Sequence, residues 1–314
     1  MRGVPTPAAA GVFICAAALL AGCASTQVSG LLERRPEGLP AAAEVAEVPF
    51  FAQEDFQCGP AALATALVHA GGEATPESLM PQVYLPARKG SLQAEMLASA
   101  RRHRLIAYPL APKLEDLLRE IAAGNPVVVL QNLALDWAPQ WHYAVAIGYD
   151  LDAREIVLRS GVTRRLTMSL DTFSRTWARS SHWAMLALPA ERLPASATES
   201  AYLAAAAALE RVAPATARRA YETALERWPR SVAARIGLGN ASYTMRDLAG
   251  AAAAYLRATQ EHPEAADAWN NLAQALHELG SRDAALAAAR RAVALGGPRQ
   301  STYRETLEGI LRSP

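Results

Sequence analysis

The sequence predicts an α+β domain followed by an all-α domain built from repeated helix pairs. Two observations support this prediction. Between residues 48 and 188, helical patterns give way to short β-branched runs, and beyond residue 199 only helical patterns occur, with markers spaced 34 residues apart. The 314 residues suffice for two hydrophobic cores. The net charge is only +1, which gives no reason to expect a nucleic-acid partner.

The first residues have the form of an export signal. Arg2 precedes an apolar run over residues 8–20, which is too short for a mature membrane-spanning helix. The run ends in Leu20-Ala21-Gly22-Cys23, which resembles the lipobox of bacterial lipoproteins. The resemblance implies cleavage after residue 22 and a lipid on Cys23. An ordinary secretory signal or a membrane stub is the alternative.

The residue after the lipobox bears on the destination of the chain. Ala24 stands where an aspartate would change sorting, and this resembles the default outer-membrane pattern of Gram-negative lipoproteins. We therefore expect a lipid-anchored protein of the bacterial cell envelope that faces the periplasm. Residues 1–22 are predicted as the signal peptide. Residues 23–47 are rich in Ala, Pro, Glu and Ser without a sustained period, and are predicted as a lipid-anchored linker.

Residues 48–188 contain the alternation of patterns that predicts the α+β domain. Apolar positions at helical spacing predict the helices, and β-branched or alternating runs bounded by turn residues predict an antiparallel sheet. Ser91 is the expected cap of the third helix. The predicted helices are 61–70, 75–79, 91–103, 113–123 and 170–178, and the predicted strands are 105–109, 126–131, 142–149, 155–159, 164–168 and 182–188.

The C-terminal part follows a short linker predicted at residues 189–198. Tyr221 and Tyr255 are 34 residues apart, as are Pro229 and Pro263, and alanines recur at the same period. This period is the tetratricopeptide signature, in which pairs of helices stack on one another. Residues 199–314 are predicted as a tetratricopeptide-repeat domain, capped by a helix over residues 300–311. A generic alanine-rich bundle is the alternative.

Cys58 is the candidate nucleophile. Of the three cysteines, Cys15 leaves with the signal and Cys23 carries the lipid, so Cys58 remains as a free thiol. Gly59 and Pro60 follow it, and then an apolar helical run begins. Because proline favours the first turn of a helix, Cys58 is expected at a helix N-terminus, where the dipole favours a thiolate. The alternative is a buried, inert cysteine.

His142 is the candidate base. A cysteine nucleophile needs a group that takes its proton, a group that orients this base, and donors for the oxyanion. His142 opens the predicted strand Trp141-His142-Tyr143-Ala144-Val145. We expect a thiolate–imidazolium pair between this strand and the helix that begins near Cys58. The other histidines show no metal-ligand spacing, so neither a metal nor a cofactor is expected.

The two segments together carry a resemblance. Cys58-Gly59-Pro60-Ala61, followed downstream by the His142-Tyr143 strand, is similar to the bacteriocin-leader-processing, papain-like cysteine peptidases of the double-glycine type. Within them the chain resembles a stand-alone lipoprotein subgroup with C-terminal tetratricopeptide repeats. The resemblance implies a papain-like cysteine peptidase domain over residues 48–188. By position it implies Cys58 as nucleophile and His142 as base.

The remaining site residues follow from the same resemblance. The family places a glutamine for the oxyanion hole shortly before the cysteine, which assigns Gln53 here, with Gln57 as the alternative. The family's third residue is an aspartate on the strand after the histidine. That position falls near Ser160 in this sequence, so Ser160 is the candidate group that orients His142. A serine oxygen can hold the ring but adds no negative charge, which leaves activity open.

These residues predict a lipid-anchored cysteine endopeptidase that hydrolyses peptide bonds and processes peptides or leader segments. The expected partners are a peptide or protein substrate, a protein bound by the repeats, and the membrane through the N-terminal lipid. The alternative is a catalytically weak or inactive peptidase fold that binds peptides and serves as a scaffold. A third reading is acyl or amide transfer by the same thiol.

Overall fold

The computed structural model describes residues 26–52 and 57–313. The predicted signal peptide, Cys23 and Gln53 lie outside the described residues. The helices of the first domain are α1 Thr26–Glu33, α2 Cys58–His69, α3 Pro76–Val83, α4 Gln93–Arg102, α5 Leu114–Ala122 and α6 Leu170–Ala178. The strands are β1 Ala42–Glu44, β2 Tyr84–Leu85, β3 Gly90–Ser91, β4 Ile106–Pro109, β5 Val127–Asn132, β6 Trp141–Asp150, β7 Glu155–Ser160, β8 Thr163–Ser169 and β9 Ala184–Leu188.

The first domain contains a seven-stranded antiparallel sheet. Its order is β4-β9-β5-β6-β7-β8, and β1 pairs with the far end of β6. The centre of the sheet is β5, which is buried along its whole length because it is built from Val127-Val128-Val129-Leu130. The short hairpin β2-β3 stands apart from this sheet. The predicted α+β class, with helices first and an antiparallel sheet after them, is confirmed.

Helix α2 is the central helix of this domain. Its residues 59–67 are all buried, and it packs on the middle strands of the sheet, chiefly β6. The many small alanines in this helix allow its backbone to approach the sheet closely. Because α2 begins at Cys58 and β6 begins at Trp141, the packing brings the two sequence-predicted catalytic residues to the same end of the sheet.

The segment predicted as a linker at residues 23–47 is ordered from Thr26 onward, which corrects that prediction. Val28 and Leu31 lie on one side of α1 and are buried in the core of the domain. Residues 42–44 then add a strand to the sheet. The composition of this segment resembles a tether, but two apolar residues three positions apart suffice to dock a short helix.

Two further details differ from the sequence predictions. The helix expected from Ser91 begins at Gln93, and Leu92 occupies its N-cap position. Ser91 is instead the last residue of the hairpin β2-β3. The hairpin lies after the predicted helix 75–79, in a stretch for which the sequence predicted neither a helix nor a strand. A short-range pattern cannot reveal such a hairpin, because its two strands are each only two residues long.

The segment over residues 189–198 is also fixed to the first domain. Glu120 of α5 is fully buried, and its carboxylate accepts hydrogen bonds from the backbone N–H groups of Ala195 and Ser196 and from the Ser196 hydroxyl. The side-chain amide of Asn125 donates a fourth hydrogen bond to the same carboxylate. Tyr202 continues the attachment, since its hydroxyl donates to the backbone oxygen of Ala190. One hydrophobic core runs from the first domain into the first helices of the second.

The second domain is a stack of helix pairs. The helices are α7 Glu199–Ala207, α8 Pro214–Arg227, α9 Val232–Thr244, α10 Leu248–Glu261, α11 Ala266–Glu278, α12 Arg282–Leu295 and α13 Gln300–Arg312. Gly237 and Gly239 of α9 each face one of the two periodic tyrosines. A Cβ at Gly237 would lie 2.2 Å from the Tyr221 ring, and one at Gly239 would lie 2.3 Å from the Tyr255 ring. Each tyrosine therefore packs directly against a glycine backbone.

Among the described residues, none of the helices combines the length and the apolar character that crossing a membrane requires.

Candidate active site

Cys58 lies at the first position of helix α2, where the packing of the helix against β6 places it beside the strand. Gln57 is the N-cap residue and makes no capping hydrogen bond through its side chain, and the first α-helical bond runs from Ala61 N–H to the Gln57 oxygen. The unpaired N–H groups of the first turn therefore lie near the sulfur. The backbone N–H of Tyr143 also donates toward the thiol, which locates the sulfur next to the strand residue that follows His142.

Gly59 keeps this helix end close to the β2-β3 hairpin. A Cβ at position 59 would lie 2.2 Å from the Oγ of Ser91 and 2.6 Å from its Cβ. Tyr143 holds the same serine from the sheet, because its hydroxyl donates to the backbone oxygen of Ser91 over 3.2 Å. The glycine after the nucleophile is therefore required by close packing.

His142 projects from the beginning of β6 and contacts Ser160 at the end of β7. The His142 Nε2 and the Ser160 Oγ are 2.8 Å apart, a normal hydrogen-bond distance. With Nε2 engaged, Nδ1 is the ring nitrogen that remains for a second proton-transfer partner. For Nδ1 to accept a proton, Nε2 must carry its hydrogen, so Ser160 acts as the hydrogen-bond acceptor in that state.

Cys58 and His142 line one cleft of about 1060 Å³ at this end of the sheet. The hairpin and the turn that connects its strands form part of the wall with Arg88, Lys89, Gly90 and Ser91. The remaining lining residues are Leu92, Gln93, Leu130, Pro139, Gln140, Trp141, Tyr143, Gly161, Val162, Arg179, Ser180 and Ser181. The cleft is large enough for an extended peptide segment.

The electrostatics of the site favour neutral groups in this conformation. Burial raises the pKa of the Cys58 thiol above its ordinary 9.0, although the backbone N–H groups of Tyr143, Gly59 and Cys58 oppose that shift. Burial lowers the pKa of the His142 imidazole below its ordinary 6.5. Both directions oppose the preformed thiolate–imidazolium pair that the sequence suggested. They favour a neutral thiol beside a neutral imidazole.

The other sequence candidates fall as follows. Gln53 lies outside the described residues, so its assignment to the oxyanion hole stays a prediction. Gln57 is half-buried and is not among the described residues that line the cleft. The carboxylate that ends the histidine strand is too distant to orient the ring. Asp150 ends β6 eight residues from His142, roughly 27 Å along an extended strand, and its carboxylate accepts from the backbone N–H groups of Asp152 and Ala153.

Sequence reasoning missed the wall formed by residues 179–181. Arg179 is the C-cap residue of helix α6, and its guanidinium donates to the backbone oxygens of Asn132 and Ala134. Ser180 and Ser181 follow it into the cleft wall. No local pattern marks these residues, because they reach the cleft only through the pairing of β9 with β5. Among the described residues, no group of three His, Cys, Asp or Glu side chains converges to hold a metal ion.

Comparison with known families agrees with this geometry. The model of the peptidase C39-like family matches residues 45–185, a range that contains Cys58, His142 and Ser160. Residues 45–185 form a C39-like peptidase domain. The tetratricopeptide-repeat model matches residues 202–261 and 240–299, so the helix pairs of the second domain are tetratricopeptide repeats. The predicted combination of the two domains is thereby confirmed.

Two solved structures resemble parts of the chain. One, described as a C39-like peptidase from Bacillus anthracis, is 19% identical, with a TM-score of 0.41, 48% of this chain covered and 98% of that chain covered. The other, MamA, is 16% identical, with a TM-score of 0.28, 46% of this chain covered and 95% of that chain covered. No curated protein matches the chain.

The C39-like domain therefore presents a thiol, an imidazole and a hydroxyl at the open end of its sheet. The cysteine comes from the start of a buried helix and the histidine from the start of a strand, so both are held by the core of the domain. The arrangement is suited to nucleophilic attack by sulfur with the imidazole as proton acceptor.

Proposed function

We propose that the C39-like domain is a cysteine peptidase that hydrolyses peptide bonds with Cys58 as nucleophile and His142 as general base. The observation that supports this most directly is the shared cleft, in which Cys58 and His142 both line the wall while Ser160 engages the His142 Nε2. Nδ1 is then the ring atom available for the thiol proton. The cleft accepts the scissile peptide in an extended conformation.

The proposed reaction starts from the neutral pair. The thiol proton moves to Nδ1 of His142 as the sulfur attacks the carbonyl carbon, and the carbonyl π electrons move to the oxygen. The Cys58 backbone N–H and the glutamine assigned from the sequence stabilise this oxyanion. Collapse of the intermediate breaks the C–N bond, and the imidazolium gives its proton to the leaving amine. Water, deprotonated by His142, then attacks the thioester carbonyl. The C–S bond breaks to release the acid product, and the imidazolium returns its proton to the Cys58 sulfur.

Ser160 acts as a positioning residue in this proposal. Its oxygen accepts the Nε2 hydrogen and holds the ring with Nδ1 directed to the reacting thiol. A hydroxyl carries no charge, so the imidazolium receives less stabilisation than a carboxylate would provide. We infer that the contact with Ser160 orients His142 for catalysis. The thiolate–imidazolium pair of Cys58 and His142 then forms only when substrate is bound.

In this proposal the second domain brings substrate to the peptidase domain, and the N-terminus anchors the chain to the membrane. The tetratricopeptide repeats recruit the substrate or a protein partner, because such stacks present an extended concave binding surface. A lipid on Cys23 anchors the chain to the bacterial envelope. The expected location of the protein is the periplasmic side of the outer membrane. Processing of leader segments is the substrate class that follows from the family resemblance.

The test is peptide hydrolysis by the chain lacking residues 1–22, followed on an unbiased peptide library by mass spectrometry. Cys58→Ala and His142→Ala are the loss-of-function variants. We expect cleavage by the wild type only, and a covalent adduct of Cys58 with an electrophilic peptide. A wild type as inert as Cys58→Ala that still binds peptides would refute the proposal and identify the domain as a peptide-binding module. Transfer of the acyl group to an added amine would identify acyl transfer instead.

A further inference from the structure

The ordered N-terminus lies at the catalytic end of the sheet. Gln27 is the second residue of α1, and its side-chain amide contacts three groups: the backbone oxygen of Pro112, the backbone N–H of Leu114 and the Nε2 of His182. Pro112 follows the end of β4, and His182 precedes the beginning of β9. Because the sheet is antiparallel, both positions belong to one end of it.

The active site belongs to that same end. β6 begins at Trp141, directly before His142, and Trp141 pairs with Asn132 at the end of β5. β5 is also the neighbour of β9 on its other side, and the Leu130 N–H donates to the backbone oxygen of Trp183. The attachment point of α1 is therefore on the side of the domain on which the cleft opens.

An exposed apolar rim surrounds the cleft at this end. In the described part of the first domain, every exposed large hydrophobic residue lies here. They are Leu92, Leu133, Leu135, Trp137, Trp141 and Val162. Trp137 is 82% exposed and Val162 is 78% exposed, values that are unusual for large apolar side chains. We call these six residues the apolar rim.

The rim is accompanied by cations. Arg88, Lys89 and Arg179 line the cleft, and no aspartate or glutamate is found among the described lining residues. The Arg179 guanidinium donates to the backbone oxygens of Asn132 and Ala134, and no ion pair joins it to a carboxylate of the described residues. Exposed tryptophans beside basic residues are the combination that binds the interface of a bilayer containing anionic lipids.

We propose that the apolar rim is a membrane-contact surface, so that the cleft faces the bilayer to which the chain is anchored. This inference rests on the proposed lipid at Cys23. Three residue steps separate Cys23 from Thr26, and even a fully extended chain spans only about 10 Å over that length. The lipid therefore holds the catalytic end of the sheet at the membrane. Substrates that are themselves bound to the bilayer are then the ones that reach the cleft.

The first experiment measures which end of the domain touches lipid. In the full chain carrying Cys58→Ala, a single thiol is introduced by Trp137→Cys and labelled with a polarity-sensitive dye. Ala153→Cys is the matched control, because Ala153 lies in the exposed β6–β7 turn at the opposite end of the sheet. Both lipidated proteins are reconstituted in vesicles of phosphatidylethanolamine and phosphatidylglycerol that contain a lipid-borne quencher.

We expect a blue shift and quenching for the dye at residue 137, and neither for the dye at residue 153. Equal emission from the two positions, or stronger quenching at residue 153, would overturn the proposal. A dye at residue 137 that stays in water on vesicles and responds only to an added soluble peptide would also overturn it, and would assign the rim to substrate. Mass spectrometry of Cys23 reports the lipid separately, so a failed anchor is distinguished from a wrong orientation.

The second experiment uses activity. Trp137→Glu is compared with wild type on one peptide supplied either free in solution or attached to vesicle lipid. We expect Trp137→Glu to lose rate on the attached peptide and to keep the rate on the free peptide. Equal loss on both forms would contradict membrane contact, because it would place Trp137 in the binding of the peptide itself. The free-peptide rate of the wild type tests the proposed peptidase activity independently.

Discussion

The Nε2 atom of His142 lies 2.8 Å from the Oγ atom of Ser160, across the ends of the neighbouring strands β6 and β7. The contact engages one ring nitrogen and leaves Nδ1 for the thiol. It also supplies no negative charge, and burial lowers the pKa of the same imidazole. The geometry of a cysteine–histidine site is therefore combined with electrostatics that favour the neutral form of both groups.

Restoring a carboxylate at this contact is expected to increase activity. Ser160→Asp places a negative charge beside the imidazole, which raises its pKa and stabilises the imidazolium formed during attack. A shift of one unit corresponds to about 1.4 kcal/mol, so kcat/KM is expected to rise by up to about tenfold. Ser160→Ala is expected to lower kcat/KM by about fivefold, the value of one hydrogen bond near 1 kcal/mol. An unchanged Ser160→Ala enzyme would show that Ser160 does not position the ring.

The pH dependence of hydrolysis is expected to be broad. Activity requires a neutral imidazole and a protonated thiol, so the acid limb follows His142 and the alkaline limb follows Cys58. Burial moves the pKa of His142 below 6.5 and that of Cys58 above 9.0, and the two limbs move apart. The measurement is kcat/KM against pH, and Ser160→Asp is expected to move the acid limb upward. A narrow optimum within one unit of pH 7.5 would contradict neutral resting groups.

The thiol is expected to be slow to alkylate at neutral pH. Because burial raises the pKa of Cys58, the thiolate fraction at pH 7 is smaller than in an unfolded chain. The rate of reaction with iodoacetamide should rise with a midpoint above 9.0 in the folded protein, and the urea-unfolded protein serves as the control. A folded-state midpoint near 7 would indicate that the ion pair is already present.

Adding one methyl group after the nucleophile is expected to abolish hydrolysis. Gly59→Ala would place a Cβ 2.2 Å from the Ser91 hydroxyl, so either the hairpin or the first turn of α2 must move. Such overpacking typically costs about 1–3 kcal/mol of stability. Gly309→Ala is the matched control, because its Cβ meets no atom within 4 Å and alanine favours the interior of helix α13 by about 0.5–1 kcal/mol. Activity and thermal unfolding are measured for both variants.

Glu120 is expected to determine whether the two domains unfold together. Glu120→Ala leaves the buried N–H groups of Ala195 and Ser196 without their acceptor, which is expected to destabilise the chain by about 3 kcal/mol. The single urea transition expected for the wild type should then separate into two. Glu115→Ala is the control, since its ion pair with Arg119 is partly exposed to solvent and contributes at most about 1 kcal/mol. Equal effects of the two substitutions would exclude a locking role for Glu120.

Much of the fold was predictable because its signals are local. The alternation of apolar residues that predicts β6 and the capped helical pattern that predicts α6 each lie within about ten residues of sequence. The observed bounds of both elements lie close to the predicted ones. What the sequence did not reveal is how firmly two linker-like segments are held. Residues 26–47 and 189–198 have the composition of linkers, yet Val28 docks in the core and Glu120 binds the second segment. Both depend on partners more than 70 residues away.

The amino-acid sequence by itself determined most of the helices and strands from residue 58 onward, the 34-residue repeat, the prediction of an export signal and the choice of Cys58 and His142 as candidates. Each of these depends on residue type and near-neighbour spacing. Only the tertiary structure decided that Ser160 reaches His142, that both catalytic candidates are buried enough to favour neutrality, and that the cleft shares its end of the sheet with α1. Distances between strands and the exclusion of water arise from packing of the whole chain, which no local pattern encodes.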